Sequence, residues 1–236
     1  MNRGNAYRAI QRTAEALSDF GRAIEIRERL LGEGRLLDEN DLAVAYMNRG
    51  LAYSAIQKPA ESLADYGRAI EIGERLLGES RLLDENHLAG AYMNRGIAYS
   101  DIHKTAEALA DYGRAVEIRE RLLGEGRLLD ENDLAVAYMN RGVAYLLAAD
   151  KPIDAMDDLL RALELTNTLL SKRTYLIGQY MKTAYLALRP MIRSKQIENI
   201  QDTINQINDV LHAYELTDEG KCWLGEIQGM FKQDDQ

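Results

Sequence analysis

The stretch MNRGLAY at residues 47–53 decides the fold, because it occurs four times at a fixed spacing. It appears as MNRGNAY from residue 1, as MNRGIAY from residue 93 and as MNRGVAY from residue 139, so each step is 46 residues. The units 1–46 and 93–138 agree at 38 of their 46 positions, which indicates duplication within one chain. A repeat of this length predicts small units that stack on their neighbours, without a single central core.

Each unit has the apolar periodicity of two helices. In the second unit, apolar or small residues recur at steps of three or four along a first stripe, at Leu42, Tyr46, Gly50 and Tyr53. A second helix begins near Pro59, and its stripe follows at Leu63, Tyr66, Ile70 and Leu77. A lone hairpin cannot bury both stripes, so the sequence predicts an all-α solenoid of stacked hairpins.

Composition agrees with a helical protein and excludes several classes. The 236 residues are 46% hydrophobic and 28% charged, with only three prolines. The single cysteine, Cys222, excludes a disulfide framework and a cysteine-based zinc site. A net charge of −9 argues against a nucleic-acid partner, since phosphates select a basic surface. The sequence has neither the ~20-residue apolar run that spans a membrane nor a signal-peptide core, so we expect no membrane partner and a cytoplasmic location.

The unit resembles the tetratricopeptide repeat family over about residues 1–165. The resemblance rests on positions that recur in register, represented in the second unit by Tyr46, Gly50, Tyr53, Tyr66 and Ala69. A small-residue position of the pattern holds alanine in the first and third units and Ser62 in the second. Two features depart from the family. The place of its closing proline is taken by Glu28, Glu74 and Glu120, and the period of 46 residues exceeds the usual 34. The long period is similar to that of the kinesin light chain type.

The resemblance implies a right-handed α-α superhelix whose first helices line a concave, peptide-binding groove. We predict four hairpins over residues 1–170, counted as 1–46, 47–92, 93–138 and 139–170. Residues 171–236 continue the same solenoid with a degenerate hairpin, broken at Pro190, and a C-terminal capping helix. The apolar side of that last helix carries Trp223, Ile227, Met230 and Phe231.

An asparagine follows the methionine of every repeated stretch and gives the first candidate site. It lies on the face of the first helix opposite the apolar stripe. Because an amide both donates and accepts hydrogen bonds, a column of amides suits the backbone of an extended peptide. The resemblance also implies that asparagines in this register line the groove. The alternative is that they satisfy local backbone groups. The four residues are Asn2, Asn48, Asn94 and Asn140.

Differences between the nearly identical units give further candidates. Several of the positions that differ between the first and third units fall on or beside the asparagine face. We interpret them as a ligand surface tuned unit by unit, with drift at solvent-facing positions as the alternative. This surface becomes more apolar toward its C-terminal end. Besides the asparagines it comprises Asn5, Arg8, Leu51, Ser54, Ile97, Ser100, Asp101, Val143 and Leu147.

Two other recurring sets are interpreted as structural. An arginine in each first helix and an aspartate in each second helix predict an ion pair between the helices, with capture of a ligand carboxylate as the alternative. The pairs are Arg3/Asp19, Arg49/Asp65, Arg95/Asp111 and Arg141/Asp158. Glycines inside the second helix predict the close approach of a neighbouring helix, since glycine is otherwise unfavourable there. They are Gly21, Gly67 and Gly113.

The functional prediction is a non-enzymatic scaffold that binds a protein or peptide segment in its groove, without metal or cofactor. No catalytic arrangement is visible, because His87, His103 and His212 are isolated and Cys222 has no neighbouring base. The alternative function is a regulatory or sensor fragment of a larger signalling or protease-associated protein. The first unit lacks the start of its first helix. We expect either that the chain is cut from a longer array or that this open end docks on a partner, such as a second copy of the chain.

Overall fold

A computed structural model of the chain describes residues 13–148, 152–194 and 197–232. Within these ranges there are ten α-helices, one short 3₁₀ turn and no β-strand. The prediction of an all-α fold is confirmed. The chain divides into two compact units, Met1–Leu128 and Leu129–Gln236.

The described part of the first unit consists of helices that pack in chain order. Helix α2 pairs with α3 and α4 pairs with α5 as two hairpins, and α3 packs against α4 to join them. A repeat counted from Met47 therefore begins in the middle of α2, after the start of the structural hairpin at Asn40. The helices are α1 (Thr13–Gly32), α2 (Asn40–Ala55), α3 (Pro59–Gly78), α4 (Glu85–Asp101) and α5 (Thr105–Gly124).

The second unit contains one further hairpin, which is followed by three more helices. Its helices are α6 (Glu131–Leu147), α7 (Pro152–Leu170), α8 (Ile177–Ser194), α9 (Ile197–Ala213) and α10 (Asp218–Lys232), with a 3₁₀ turn at Thr174–Leu176. Helix α8 packs against α7, α9 and α10. The C-terminal helix presents its apolar side to this core, where Ile227 is buried. The ring centroids of Trp223 and Tyr185 lie 5.2 Å apart. The side chain of Phe231 lies outside the described residues.

The predicted break at Pro190 is wrong, because α8 continues to Ser194. An interior proline costs a helix about 3 kcal/mol through a lost hydrogen bond and a steric clash. The packed face of α8 offsets that cost, since burial of one large apolar side chain contributes about 1.5–3 kcal/mol. Its fully buried large residues include Ile177, Tyr180, Met181 and Leu188.

The residues that lengthen the unit extend its second helix and tie successive linkers together. Helices α3 and α5 each span 20 residues. The Asn40 amide donates to the carbonyl oxygen of Arg81 at 3.2 Å and accepts from the backbone N–H of Leu83 at 3.1 Å. The Asn86 amide donates in the same way to the Arg127 carbonyl oxygen at 3.4 Å. The segment that joins one second helix to the following first helix is therefore hydrogen-bonded to the backbone of the next such segment, which we call the next linker.

A buried glutamate strengthens this contact between units. Glu39 is 7% exposed and accepts hydrogen bonds from Arg75, at the end of α3, and from Arg81 at 3.0 Å in the following linker. The bond from Arg75 holds the pKa of Glu39 below its ordinary value. The next copy of the arrangement is formed by Glu85 with Arg121 and Arg127, and the bond from Arg121 lowers the pKa of Glu85.

Glycine allows close packing within each hairpin, but at other positions than predicted. A Cβ atom on Gly50 would lie 2.8 Å from Cε1 of Tyr66, and one on Gly96 would lie 2.7 Å from Cε1 of Tyr112. The predicted close approach of a neighbouring helix is wrong for the glycines inside the second helices. A Cβ atom there would have no neighbour nearer than 4.0 Å at Gly21, Gly67 or Gly113.

Candidate functional site

The described members of the asparagine column lie near the middle of the first helices α2, α4 and α6. Asn48 is only 7% exposed, and Asn94 and Asn140 are half-buried. None of the three side-chain amides makes a hydrogen bond within the described part of the chain. Asn2 lies outside the described residues.

A second set of recurring asparagines behaves differently. Asn40 and Asn86 hold the linkers, and the Oδ1 atom of Asn132 accepts from Nε2 of Gln179 at 2.9 Å. Hydrogen bonds to other segments of the chain therefore account for this set. They do not account for the column at Asn48, whose amides retain both donors and acceptors. The polar atoms of these amides are not among the fully buried side-chain atoms without a partner, so they remain open to water or to a ligand.

The face of α2 that carries Asn48 is divided into two parts. Toward the start of the helix, Val44 and Met47 lie against α4 around a void of only about 20 Å³. Toward the end of the helix, the space between the first helices widens into a cavity of about 440 Å³. We call this the 54/101 cavity, because the predicted site residues Ser54 of α2 and Asp101 of α4 both line it.

The 54/101 cavity has a mixed lining, in which several polar side chains stand among apolar ones. Asp101 is exposed and has no ion-pair partner among the described residues. Lys58 also lines the cavity, but its ammonium lies 3.5 Å from the carboxylate of Glu61. Ser62, in the first turn of α3, is fully buried, and its hydroxyl has no hydrogen-bond partner among the described residues. In the sequence, Ser62 departs from the alanine of the sister units, but we did not predict it as a site residue.

The remaining predicted residues have different surroundings. Leu51 is half-buried and Ile97, at the same place in the next unit, is 37% exposed. Ser100 forms a hydrogen bond with Tyr112, whose pKa is raised to about 12 by burial, so this serine supports a structural tyrosine. In the second unit, Val143 is half-buried and Leu147 is 65% exposed. The predicted site residues Asn5 and Arg8 lie outside the described residues, as does the predicted docking surface at the first unit's open end.

The predicted ion pairs between the helices of a hairpin are confirmed. Arg49 donates from Nε and Nη2 to the two carboxylate oxygens of Asp65, both at 2.7 Å, and Asp65 is buried. Both carboxylate oxygens of the aspartate accept a hydrogen bond, and the arginine guanidinium binds the partner helix through two parallel bonds. The same two-bond geometry is found in the pairs Arg95/Asp111 and Arg141/Asp158. Arg3 lies outside the described residues.

The glutamate that replaces the family's closing proline joins one unit to the next. The hydroxyl of Tyr92 in α4 donates to Oε1 of Glu74 in α3 at 2.8 Å. Tyr46 in α2 donates to Glu28 in α1 in the same way. We noted these glutamates in the sequence but did not predict their hydrogen bonds with tyrosine. Its signal is that glutamate and tyrosine both recur every 46 residues.

The described residues contain neither a metal-binding cluster nor a membrane-spanning helix. No group of three or more histidine, cysteine, aspartate or glutamate side chains there is arranged to hold a metal ion. Nor does any helix in those ranges combine the length and apolar character needed to cross a membrane.

Comparison of the sequence with protein families gives a match to the tetratricopeptide repeat. The family model aligns with residues 1–35, 42–87 and 88–127, which together make up about half of the chain. No curated protein matches the sequence significantly.

Solved structures share the fold at low sequence identity. BtubC (BKLC) from P. vanneervenii is 18% identical with a TM-score of 0.67, over 91% of this chain and 80% of that one. The apo form of RapI is 15% identical with a TM-score of 0.70, over 94% of this chain but only 55% of RapI. The putative kinesin light chain of Podosopora anserina, with nearly identical TPR-like repeats, is 13% identical with a TM-score of 0.55, over 89% and 92%.

A fourth structure was solved with a bound peptide. The Rap conjugation gene regulator of the plasmid pLS20, in complex with the Phr* peptide, is 18% identical with a TM-score of 0.51, over 96% of this chain and 61% of that one. The TM-scores show that this chain shares their fold, a solenoid of stacked helical hairpins. The predicted likeness to the kinesin light chain type is confirmed.

Proposed function

Because the chain belongs to the tetratricopeptide repeat family, we propose that it is a non-enzymatic scaffold that binds an extended segment of a partner protein. The observation that carries this proposal is the set of amides at Asn48, Asn94 and Asn140. They recur at one position of the first helix and lack hydrogen-bond partners in the ranges described. An extended peptide backbone offers the donors and acceptors that these amides need.

The surroundings of the amides support a peptide ligand. In the first unit, Leu51 and Ile97 lie one helical turn beyond Asn48 and Asn94, where they offer apolar contacts to ligand side chains. In the second unit, Val143 lies one turn beyond Asn140, and Leu147 follows it. Alternating amide and apolar positions recognise a backbone and its side chains together. The Phr* peptide bound to the pLS20 regulator shows that a protein of this fold takes a peptide.

The charge and the thiol support the proposed class of partner and the proposed compartment. A net charge of −9 favours a protein ligand over nucleic acid. The exposed, unpaired thiol of Cys222 favours a reducing compartment such as the cytoplasm.

One observation favours a second, related function, in which the chain is the regulatory part of a larger protein. It spans only 55% of RapI and 61% of the pLS20 regulator, so proteins of this fold contain further segments. A longer parent gene would support this version, and it leaves peptide binding by the present residues unchanged.

The test begins with selection of peptides from a displayed library of random 12-residue sequences against the wild-type chain. Affinity of a selected peptide is then measured by fluorescence anisotropy for the variant Asn48→Ala/Asn94→Ala/Asn140→Ala. We expect affinity to fall about 10- to 1,000-fold, since the triple variant loses at least three hydrogen bonds worth roughly 0.5–1.5 kcal/mol each.

The matched control is Glu71→Ala/Glu117→Ala, which changes exposed residues of the second helices α3 and α5. We expect this variant to bind within twofold of the wild type. Failure to select any peptide contradicts the proposed function. Equal affinity of the asparagine variant and the wild type removes the amide column from the account.

A further inference from the structure

The 54/101 cavity combines features that the rest of the asparagine face lacks. It is a concave space of about 440 Å³, within the range of small-ligand pockets, bounded by the end of α2, the start of α3 and the end of α4. The three elements belong to two successive hairpins of the first unit. An occupant would therefore contact both hairpins at once.

Comparison of the repeated units shows that the polar lining is specific to this place. The position of Ser62 holds alanine in the sister units, at Ala16, Ala108 and Ala155. The position of Asp101 holds an apolar residue in the sister units, at Ala9, Ala55 and Leu147. Two polar exceptions in nearly identical units thus converge on one cavity, although 39 residues separate them in sequence. The scaffold does not require either residue, because the other copies fold without it.

The charges of the cavity indicate what it can hold. The Asp101 carboxylate has no ion-pair partner in the described ranges, whereas the Lys58 ammonium has Glu61. Ser54 and Ser62 add hydroxyl oxygens, and the Ser62 hydroxyl has no hydrogen-bond partner in the part of the chain that the structure describes. An anionic occupant would be repelled by Asp101, and an apolar one would leave the buried hydroxyl unsatisfied. A cation with several N–H donors satisfies the carboxylate and the hydroxyls together.

We propose that the 54/101 cavity binds a basic side chain, arginine or lysine, of the segment held on the first-helix face. This inference rests on the proposed peptide-binding function and specifies its ligand. Asp101 forms the ion pair with the guanidinium or ammonium group, and the two serines accept its remaining hydrogen bonds. The neighbouring Leu51 and Ile97 then contact apolar side chains of the same segment. The ligand is therefore a segment with a basic residue at a fixed distance from apolar residues.

The first measurement is the residue distribution in peptides selected from the random 12-residue library. We expect peptides selected by the wild type to share an arginine or lysine at one fixed position relative to their apolar residues. Selection against Asp101→Asn should retain the apolar positions and lose the basic one. Glu107→Gln is the matched control, because it removes one negative charge from the same hairpin at an exposed residue outside the cavity. It should keep the basic position.

The second measurement is a double-mutant cycle on one selected peptide. Its basic residue is replaced by a neutral analogue of similar shape, citrulline for arginine or norleucine for lysine. For the wild type we expect affinity to fall about tenfold, as is typical for loss of a charge-assisted hydrogen bond. For Asp101→Asn the same replacement should change affinity less than twofold. Ser62→Ala, which installs the residue of the sister units, should bind the basic peptide more weakly than the wild type while remaining folded.

The outcomes separate this inference from the function on which it rests. Tight binding of peptides with no shared basic residue overturns the basic-side-chain site and leaves peptide binding intact. A basic position that persists in Asp101→Asn also overturns it. Recovery of no binding peptide at all overturns both proposals.

Discussion

Two glycines that look alike in the repeated sequence should respond oppositely to the same substitution. Gly96→Ala places a methyl group 2.7 Å from the buried ring of Tyr112, and overpacking of this kind costs about 1–3 kcal/mol. Gly113→Ala meets no atom within 4 Å and gains up to about 1 kcal/mol of helix propensity. Urea unfolding should therefore show a lower midpoint for the first variant and a higher one for the second. Shifts in the same direction would contradict this account of the packing.

Ser62→Ala should stabilise the free protein, because it removes a buried hydroxyl for which the described residues offer no hydrogen-bond partner. We expect the free energy of unfolding to rise by about 1 kcal/mol. The reverse change in the sister unit, Ala108→Ser, buries a hydroxyl at the same place and should lower it. Urea titrations of both variants test the pair. A Ser62→Ala variant less stable than the wild type would show that the hydroxyl has a structural role.

Single residues differ in how far the sequence could predict them. The bond between Arg49 and Asp65 was predictable, because both residues recur with the helical hairpin and must face each other in every copy. The role of the glycines was not, since composition does not say which side of a helix meets an aromatic ring. Tyr66 turns toward Gly50 in the first helix of the hairpin, so the close contact lies there.

At the scale of helices and linkers, the apolar stripes predicted the hairpins, but the hydrogen bonds between linkers were not predicted. A stripe is a local pattern, and helical geometry alone converts it into a buried face. The Asn40 amide instead binds the backbone of Arg81 and Leu83, more than 40 residues away. Such a contact depends on how hairpins stack, which no local pattern encodes. The only sign of this contact in the sequence is that asparagine recurs at positions 40, 86 and 132.

Acid should weaken the contact between successive units through Glu39 and Glu85. Hydrogen bonds from Arg75 and Arg121 hold their folded-state pKa values below the ordinary value of 4.5, so the folded state binds fewer protons than the unfolded chain. This contribution to stability is complete above the unfolded pKa and is lost as pH falls through the lowered folded pKa. Urea unfolding between pH 6 and pH 3 measures the loss.

The matching variant is Glu39→Gln/Glu85→Gln, which removes both titrating groups and keeps their size. We expect it to be less stable than the wild type near neutral pH and to depend less on pH below about 4.5. Parallel pH profiles for the two proteins would assign the acid response to other carboxylates.

At the scale of the whole molecule, the repeat defined both the family and the face on which a ligand is proposed to bind. The family match and the shared fold agree with the expectation drawn from the recurring MNRG stretch. The 54/101 cavity could not be located from the sequence, because it exists only where the ends of α2 and α4 leave space above Ser62. Two of its residues, Ser54 and Asp101, were nevertheless among the predicted site residues, since both lie on the predicted ligand face.

The central claim is that a bound segment lies on the first helices, and paramagnetic broadening tests it most directly. A library-selected peptide carrying a nitroxide label is added to the ¹⁵N-labelled chain, with the diamagnetic peptide as reference. We expect broadened amide signals at Asn48, Leu51, Asn94 and Ile97, and unchanged signals at Glu71 and Glu117 on the second helices. Broadening confined to the second helices would contradict the claim.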